Sequence, residues 1–224
     1  MAARLEIPRA DLFFNAAFSR PEFAIFRENS SLLDCVYRRL EPNGLRLADM
    51  RFEGEPGSLG DRHLLLSLFD YMITVRLRAD RVEVVCAELP RNIVEKFQGA
   101  IVNLLRALKD HGPDLAFQTF TVSVGLHCRP EGQSVADYLA RFVTNAPTTL
   151  GPSTGSGVVF YQGADGDRLL STLTIDVSTV VPDGMYVRIH GVWDAVRVAL
   201  DVLPATIEAF VGQALAGLGL ELPV

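Results

Sequence analysis

Ile73-Thr74-Val75-Arg76-Leu77-Arg78-Ala79-Asp80-Arg81-Val82-Glu83-Val84-Val85-Cys86 is the stretch that decides the fold class. Ile73, Val75 and Leu77 alternate with Thr74, Arg76 and Arg78. After a turn at Ala79-Asp80-Arg81, Val82, Val84 and Cys86 take up the alternation again. Successive strand side chains point to opposite faces, so this is a hairpin with one buried and one wet face. Leu89-Pro90 ends it, and a helix follows with Pro90 or Arg91 near its first turn. Ile93, Phe97, Ile101, Leu104, Leu105 and Leu108 recur at helical spacing, and Lys109, His111 and Gly112 close the helix. Phe120, Val122, Val124, Leu126 and Cys128 then alternate as a further strand.

Working outward, the N-terminal stretch mixes short helical signals with loop. Ser30-Ser31 caps a helix through Leu32, Leu33, Val36 and Leu40, which Pro42-Asn43-Gly44 stops. Leu45 to Phe52 reads as a strand and Glu53 to Gly60 as a loop. Towards the C-terminus, Ser134-Val135-Ala136-Asp137 resembles a capping box ahead of a short helix burying Val135, Leu139 and Phe142 or Val143. Strands follow at Val158–Tyr161, at Leu169 to Val177 and at Met185 to Ile189, with turns at 163–167 and at Pro182-Asp183-Gly184. Residues 194–203 fit a strand or a helix equally. The chain closes with a helix through Ile207, Phe210, Val211, Ala214, Leu215 and Leu218. The expected fold class is α+β: an antiparallel sheet with two long amphipathic helices packed on one face. The domain reading is 1–143 and 158–224, joined by a Thr/Ser/Pro/Gly linker at 144–157 and sharing one core.

The bulk numbers narrow the function classes. The chain has 224 residues, 21 basic and 27 acidic side chains, a net charge of −6, 49% hydrophobic and 21% charged residues. Mean hydropathy is +0.22. These values exclude a disordered or collagen-like chain and a polybasic nucleic-acid binder. Residues 142–224 hold three basic and eight acidic side chains, a further argument against nucleic acid there. Glu6 and Pro8 stand where a signal peptide needs apolar residues, and no run of about 20 apolar residues predicts a membrane span. Cys35, Cys86 and Cys128 are odd in number and lie among apolar residues, which suits reduced thiols and a cytoplasmic protein.

Two similarities run along the chain. Val75-Arg76-Leu77 resembles Val187-Arg188-Ile189, and Leu89-Pro90-x-x-Ile93 resembles Leu203-Pro204-x-x-Ile207. Chance recurrence of short apolar strings and a duplicated strand–strand–helix unit both account for them. Separately, Asp80-Arg81-Val82-Glu83-Val84-Val85, Phe97, Leu104-Leu105, Phe117 and Val122-Ser123-Val124-Gly125-Leu126 form a pattern over the middle quarter of the chain. It resembles a sporadically distributed bacterial family of uncharacterised α+β proteins of about this size. That resemblance implies the fold class and no activity.

Chemical motifs fail on context. Gly151-Pro152-Ser153-Thr154-Gly155 matches a nucleophile elbow but lacks the strand before it and the helix after it. His127-Cys128 are strand neighbours and point to opposite faces, and Cys86 with His127 falls inside and outside respectively. Asp165-Gly166-Asp167 reads as a hairpin turn rather than half a calcium loop. No zinc-ligand spacing occurs, so neither metal nor cofactor is implied. Arg76, Arg78, Arg38 and Arg39 read as solvated charge. The remaining binding candidates are Tyr186, Arg188, His190, Trp193 and Asp194, which hold the single Trp beside titratable groups. The uncharged run from Ala209 to Leu220 supplies interface candidates Phe210, Val211, Leu215 and Leu218. The reading is a non-enzymatic assembly or partner-binding protein of a bacterial cytoplasm, taking a protein partner or forming a homo-oligomer. The alternative is a small-ligand binder or hydrolase with a pocket between sheet and helices, reached by Arg188, His190 or His127.

Overall fold

The computed structural model describes residues 3–26, 30–55, 57–58, 60–89, 94–112, 115–142 and 157–222. In chain order these form β1 (Ala3–Phe18), α1 (Ser30–Leu40), β2 (Met50–Glu53), β3 (His63–Leu68), β4 (Ile73–Leu77), β5 (Arg81–Cys86), α2 (Val94–His111), β6 (Phe117–Pro130), α3 (Val135–Ala140), β7 (Val158–Gln162), β8 (Arg168–Val177), β9 (Met185–Asp194), α4 (Leu203–Gly217) and β10 (Leu220–Glu221). The result is α+β, with four helices and one large antiparallel sheet in the order β2-β3-β4-β5-β1-β6-β9-β8-β7. β10 adds parallel to the start of β1, at Ala3 and Arg4.

The N-terminal stretch corrects the sequence reading. It is a sixteen-residue strand at the centre of the sheet, hydrogen-bonded to β5 on one side and β6 on the other. Leu12, Phe14, Ala16 and Phe18 face the core, and Arg9, Asp11, Phe13 and Asn15 face away. Pro8 has no N–H to donate, and it falls where the register with β6 slips between Glu6 and Arg9. A bulge is where a central strand tolerates proline. β3 was also unread. Its Leu64, Leu66 and Leu68 join the core, while Leu65 blurs the alternation.

Every long strand gives one face to a single core cluster. Phe14, Val84, Val122, Val187 and Ile175 line that face, with Phe97, Leu104 and Leu105 of α2 and Leu203, Phe210 and Leu215 of α4. Leu12, Phe14 and Val122 share one cleft with Phe97 and Ile101 of α2 and with Leu203 and Ile207 of α4. α1 lies beside α2: Cys35 Sγ donates to Ala107 O at 3.4 Å, and Arg39 pairs with Asp110. The Ser134 cap forms as read, its Oγ accepting the Asp137 N–H at 3.0 Å and donating to Asp137 Oδ2 at 2.7 Å.

Residues 195–202 are neither strand nor helix. Asp194 O accepts from the Arg197 and Val198 amides, and Asp194 Oδ1 accepts the Val196 N–H at 2.9 Å, so the chain turns there. The 144–157 linker, apart from Gly157, and the Gly151–Gly155 motif lie outside the described residues.

α4 and the Leu218 that caps it carry the four interface candidates. Phe210, Leu215 and Leu218 are buried in the core and Val211 is half-buried against it. The outward positions are Ala205, Glu208, Ala209, Gly212, Gln213 and Ala216. The outer side of the run is made of small residues and Gln213, and its large apolar side chains point inward.

The strand order also has a symmetry. Outward from the central β1–β6 pair, each half places its last strand next, β5 or β9, and then steps back through the preceding ones. β5 and β9 each precede a long helix. Val75–Leu77 and Val187–Ile189 fall on β4 and β9, which hold different places in this order.

Candidate functional site on the open sheet face

The second face of the sheet contributes no side chain to the core cluster, and it carries most of the chemistry. Alternation along β9 sends Tyr186, Arg188, His190 and Asp194 to it, with Val192. Trp193 takes the opposite face. It is 2% exposed and meets the Phe210 ring edge-on at 5.2 Å. The five candidates therefore split: four share a surface, and the Trp is core. A Cβ at Gly191 would lie 2.6 Å from the Trp193 ring, so glycine makes room for it.

The register fixes what surrounds these residues. One row crosses eight strands: Ser67, Thr74, Val85, Phe13, Ser123, His190, Thr172 and Tyr161. Phe13 thus sits between Val85 and Ser123, with small polar groups further out on both sides. Arg188 Nε donates to Ser123 Oγ at 2.8 Å. His190 Nδ1 is buried without a hydrogen-bond partner among the described residues. Burial, and then the neighbouring Arg188 charge, lower the His190 pKa from its ordinary value. At the β7–β8 end the face becomes apolar, with Val159, Leu170 and an 80% exposed Tyr161.

The next cluster was not read from sequence. Tyr186 folds over Gly125, where a Cβ would meet its Oη at 2.8 Å, and stacks on His127 at 4.7 Å. His127 Nδ1 lies 2.9 Å from Ser178 Oγ, and its Nε2 lies 3.6 Å from Asp11 Oδ2. Ser178 Oγ accepts the Val180 and Val181 amides at 3.2 and 2.9 Å. Its own O–H is therefore the donor to His127 Nδ1, and Nε2–H faces Asp11. Asp11 Oδ1 in turn accepts from Arg9 Nε and the Glu88 amide, both at 3.1 Å. This is a serine–histidine–carboxylate series, with the serine oxygen already engaged by two backbone donors. The outward set of His127 was legible; Ser178 and Asp11 come from a turn and from the unread strand β1.

Other candidates separate. Cys86 and Cys128 face the core, and burial pushes their thiols up to about 11 and about 12, away from thiolate chemistry. Cys86 is two strands from His127 and on the other face, so the two form no dyad. Asp165 and Arg168 close a turn on Gly166 at φ 59°, as read. Arg38 pairs with Asp34, and Arg78 with Glu83. Among the described residues no three His, Cys, Asp or Glu side chains are placed to hold a metal.

Most charges on this face are matched locally. Arg9 pairs with Asp11 and Glu88, Arg51 with Glu53, and Arg129 with Glu6. Burial raises the Glu83 pKa, but hydrogen bonds and charge from Arg81 and Arg78 outweigh it, so the carboxyl stays ionised below its ordinary value.

No family model matches the sequence, and no curated protein matches it. Two of the solved structures with low similarity cover most of this chain. One is a rolling circle replication initiator protein from Geobacillus stearothermophilus, at 11% identity and TM-score 0.43, with 91% of this chain and 80% of that one covered. The other is Methanococcus jannaschii TBP, at 15% identity and TM-score 0.33, with 96% and 99% covered. Among the described residues no helix is long and apolar enough to cross a membrane.

Proposed function

We propose that this is a non-enzymatic partner-binding protein of a bacterial cytoplasm that docks a protein on its open sheet face. The observation that carries the reading is the placement of Tyr186, Arg188 and His190 on a face that gives nothing to the core, beside the exposed Val159, Tyr161 and Leu170. A mixed aromatic, Arg and aliphatic surface with small polar groups between is the composition of protein interfaces. A protein partner is favoured over nucleic acid because Arg9, Arg51, Arg78 and Arg129 of this face already hold carboxylates and the chain carries −6. Free Cys35, Cys86 and Cys128 support the cytoplasmic setting. The mirrored strand order supports a duplicated unit, with α2 and α4 as the paired cover of the opposite face.

The test is cross-linking of the tagged chain in its host, followed by sedimentation of the recovered complex. Arg188→Glu with Tyr161→Asp, both at the surface, should abolish the complex and leave the melting temperature unchanged. A chain that sediments alone, or a complex that survives both changes, overturns the reading.

One observation favours a second reading, hydrolysis at Ser178: Ser178 is hydrogen-bonded to His127 at 2.9 Å, and the other His127 nitrogen lies 3.6 Å from Asp11. A fluorophosphonate probe should then label the protein and fail on Ser178→Ala. No labelling of the wild-type chain removes this reading.

A further inference from the structure

Arg168 stands on the wrong face for its place in β8. Leu170 pairs with Val192 on the open face, so plain alternation would put Arg168 there too, opposite Asp194. Instead the register slips between the two, and Arg168 pairs with Trp193 on the core side, with Leu169 as the extra residue. Bulges re-aim side chains in this way and recur beside binding sites. The turned guanidinium stacks on the Phe210 ring at 4.9 Å and is only 16% exposed. Its Nη2 reaches Asp165 at 3.0 Å, but its Nε is buried with no hydrogen-bond partner among the described residues. Burying a charged donor unpaired is costly unless an acceptor arrives.

A cavity of about 340 Å³ adjoins it. Phe142, Phe160 and Leu173 form apolar walls, and the Phe142 and Phe160 rings meet edge-on at 5.9 Å. Ser171 and Gln162 add polar groups, joined by a Ser171 Oγ donation to Gln162 Oε1 at 2.8 Å. The volume is in the range of small-molecule sites, and the chemistry is one cation amid aromatic walls.

We propose that this cavity binds a small aryl carboxylate, its ring against the Phe142 and Phe160 walls and its carboxylate on the Arg168 guanidinium. A carboxylate oxygen accepts a charge-assisted hydrogen bond from the guanidinium, and the ring replaces water on the phenyl walls. The site lies on the face opposite the proposed docking surface and does not depend on it.

The test is titration of the full chain with benzoate, phenylacetate and indole-3-acetate, against benzamide and inorganic phosphate, read by saturation-transfer NMR and by Trp193 fluorescence, since Trp193 touches Phe210. At least one aryl carboxylate should saturate and bind ten-fold or more tighter than its amide, with phosphate silent. Arg168→Gln should lose that preference. Gly217→Leu fills the mouth of the cavity from α4, where a Cβ meets nothing within 4 Å, and should block binding in a folded protein. Failure of every carboxylate to saturate at millimolar concentration overturns the proposal. So does binding that phosphate matches, or binding that survives Gly217→Leu.

Discussion

Gly191 and Gly125 each leave space for an aromatic ring, one on either face of the sheet. At Gly191 a methyl group would strike the Trp193 and Phe210 rings at 2.6 and 2.9 Å. Gly191→Ala should therefore cost about 2 kcal/mol, the range for overpacking a filled core, measured by urea denaturation. Trp193→Ala should cost about 4 kcal/mol by the same measurement, because a fully buried aromatic leaves a cavity. That result separates a core Trp from a surface one, which would tolerate the change. His190 makes a pH prediction. Its folded pKa lies below the ordinary 6.5, mainly through burial. As pH falls, the unfolded chain takes up the proton first, so the unfolded state binds more protons over that window. The associated stability is fully present above about pH 6.5 and is lost as pH falls through the folded value. Urea midpoints at pH 7.5 and 5.0 should differ less in His190→Gln than in wild type. An unchanged difference would place the titrating group elsewhere.

At the scale of elements, α4 and β1 show opposite failures of pattern reading. In α4 the count of apolar residues was correct but their direction was not visible: Phe210, Leu215 and Leu218 point inward, and Ala209, Gly212 and Ala216 make the outer side. Ala216→Arg should then change stability by no more than about 0.5 kcal/mol, whereas Leu215→Ala should cost about 3 kcal/mol, both by chemical denaturation. A large loss at Ala216 would mean that the outer side is covered. In β1 the alternation of Leu12, Phe14, Ala16 and Phe18 was masked by the apolar Phe13 and Ala17 between them and by Pro8. A central strand has neighbours on both edges, and its bulge absorbs the proline. Neither fact is local. Where local rules suffice, in the 73–86 hairpin, the Ser134 cap and the α2 stripe, sequence and structure agree.

At the scale of the molecule, β1 and β6 form the spine, with long strands paired on both sides. Their amides, hydrogen-bonded to neighbouring strands on both edges, should exchange hydrogen only on global unfolding, while those of β2 and β7 at the sheet ends should exchange faster. Residue-resolved hydrogen exchange checks this, and early exchange in β1 would contradict it. The α+β class, the free core thiols, most strands and both long helices were legible in the sequence, because period and capping are properties of neighbouring residues. So was the outward face of β9, which already grouped Tyr186, Arg188 and His190. Tertiary structure alone decided the rest. It made the N-terminal segment the central strand, sent Trp193 inward, and brought Asp11, His127 and Ser178 together from three distant parts of the chain. It also turned Arg168 beside an aromatic cavity through a single extra residue in β8. The physical reason is common to all four: strand partners and register set which side chains share a face, and these are fixed by contacts between segments far apart in sequence.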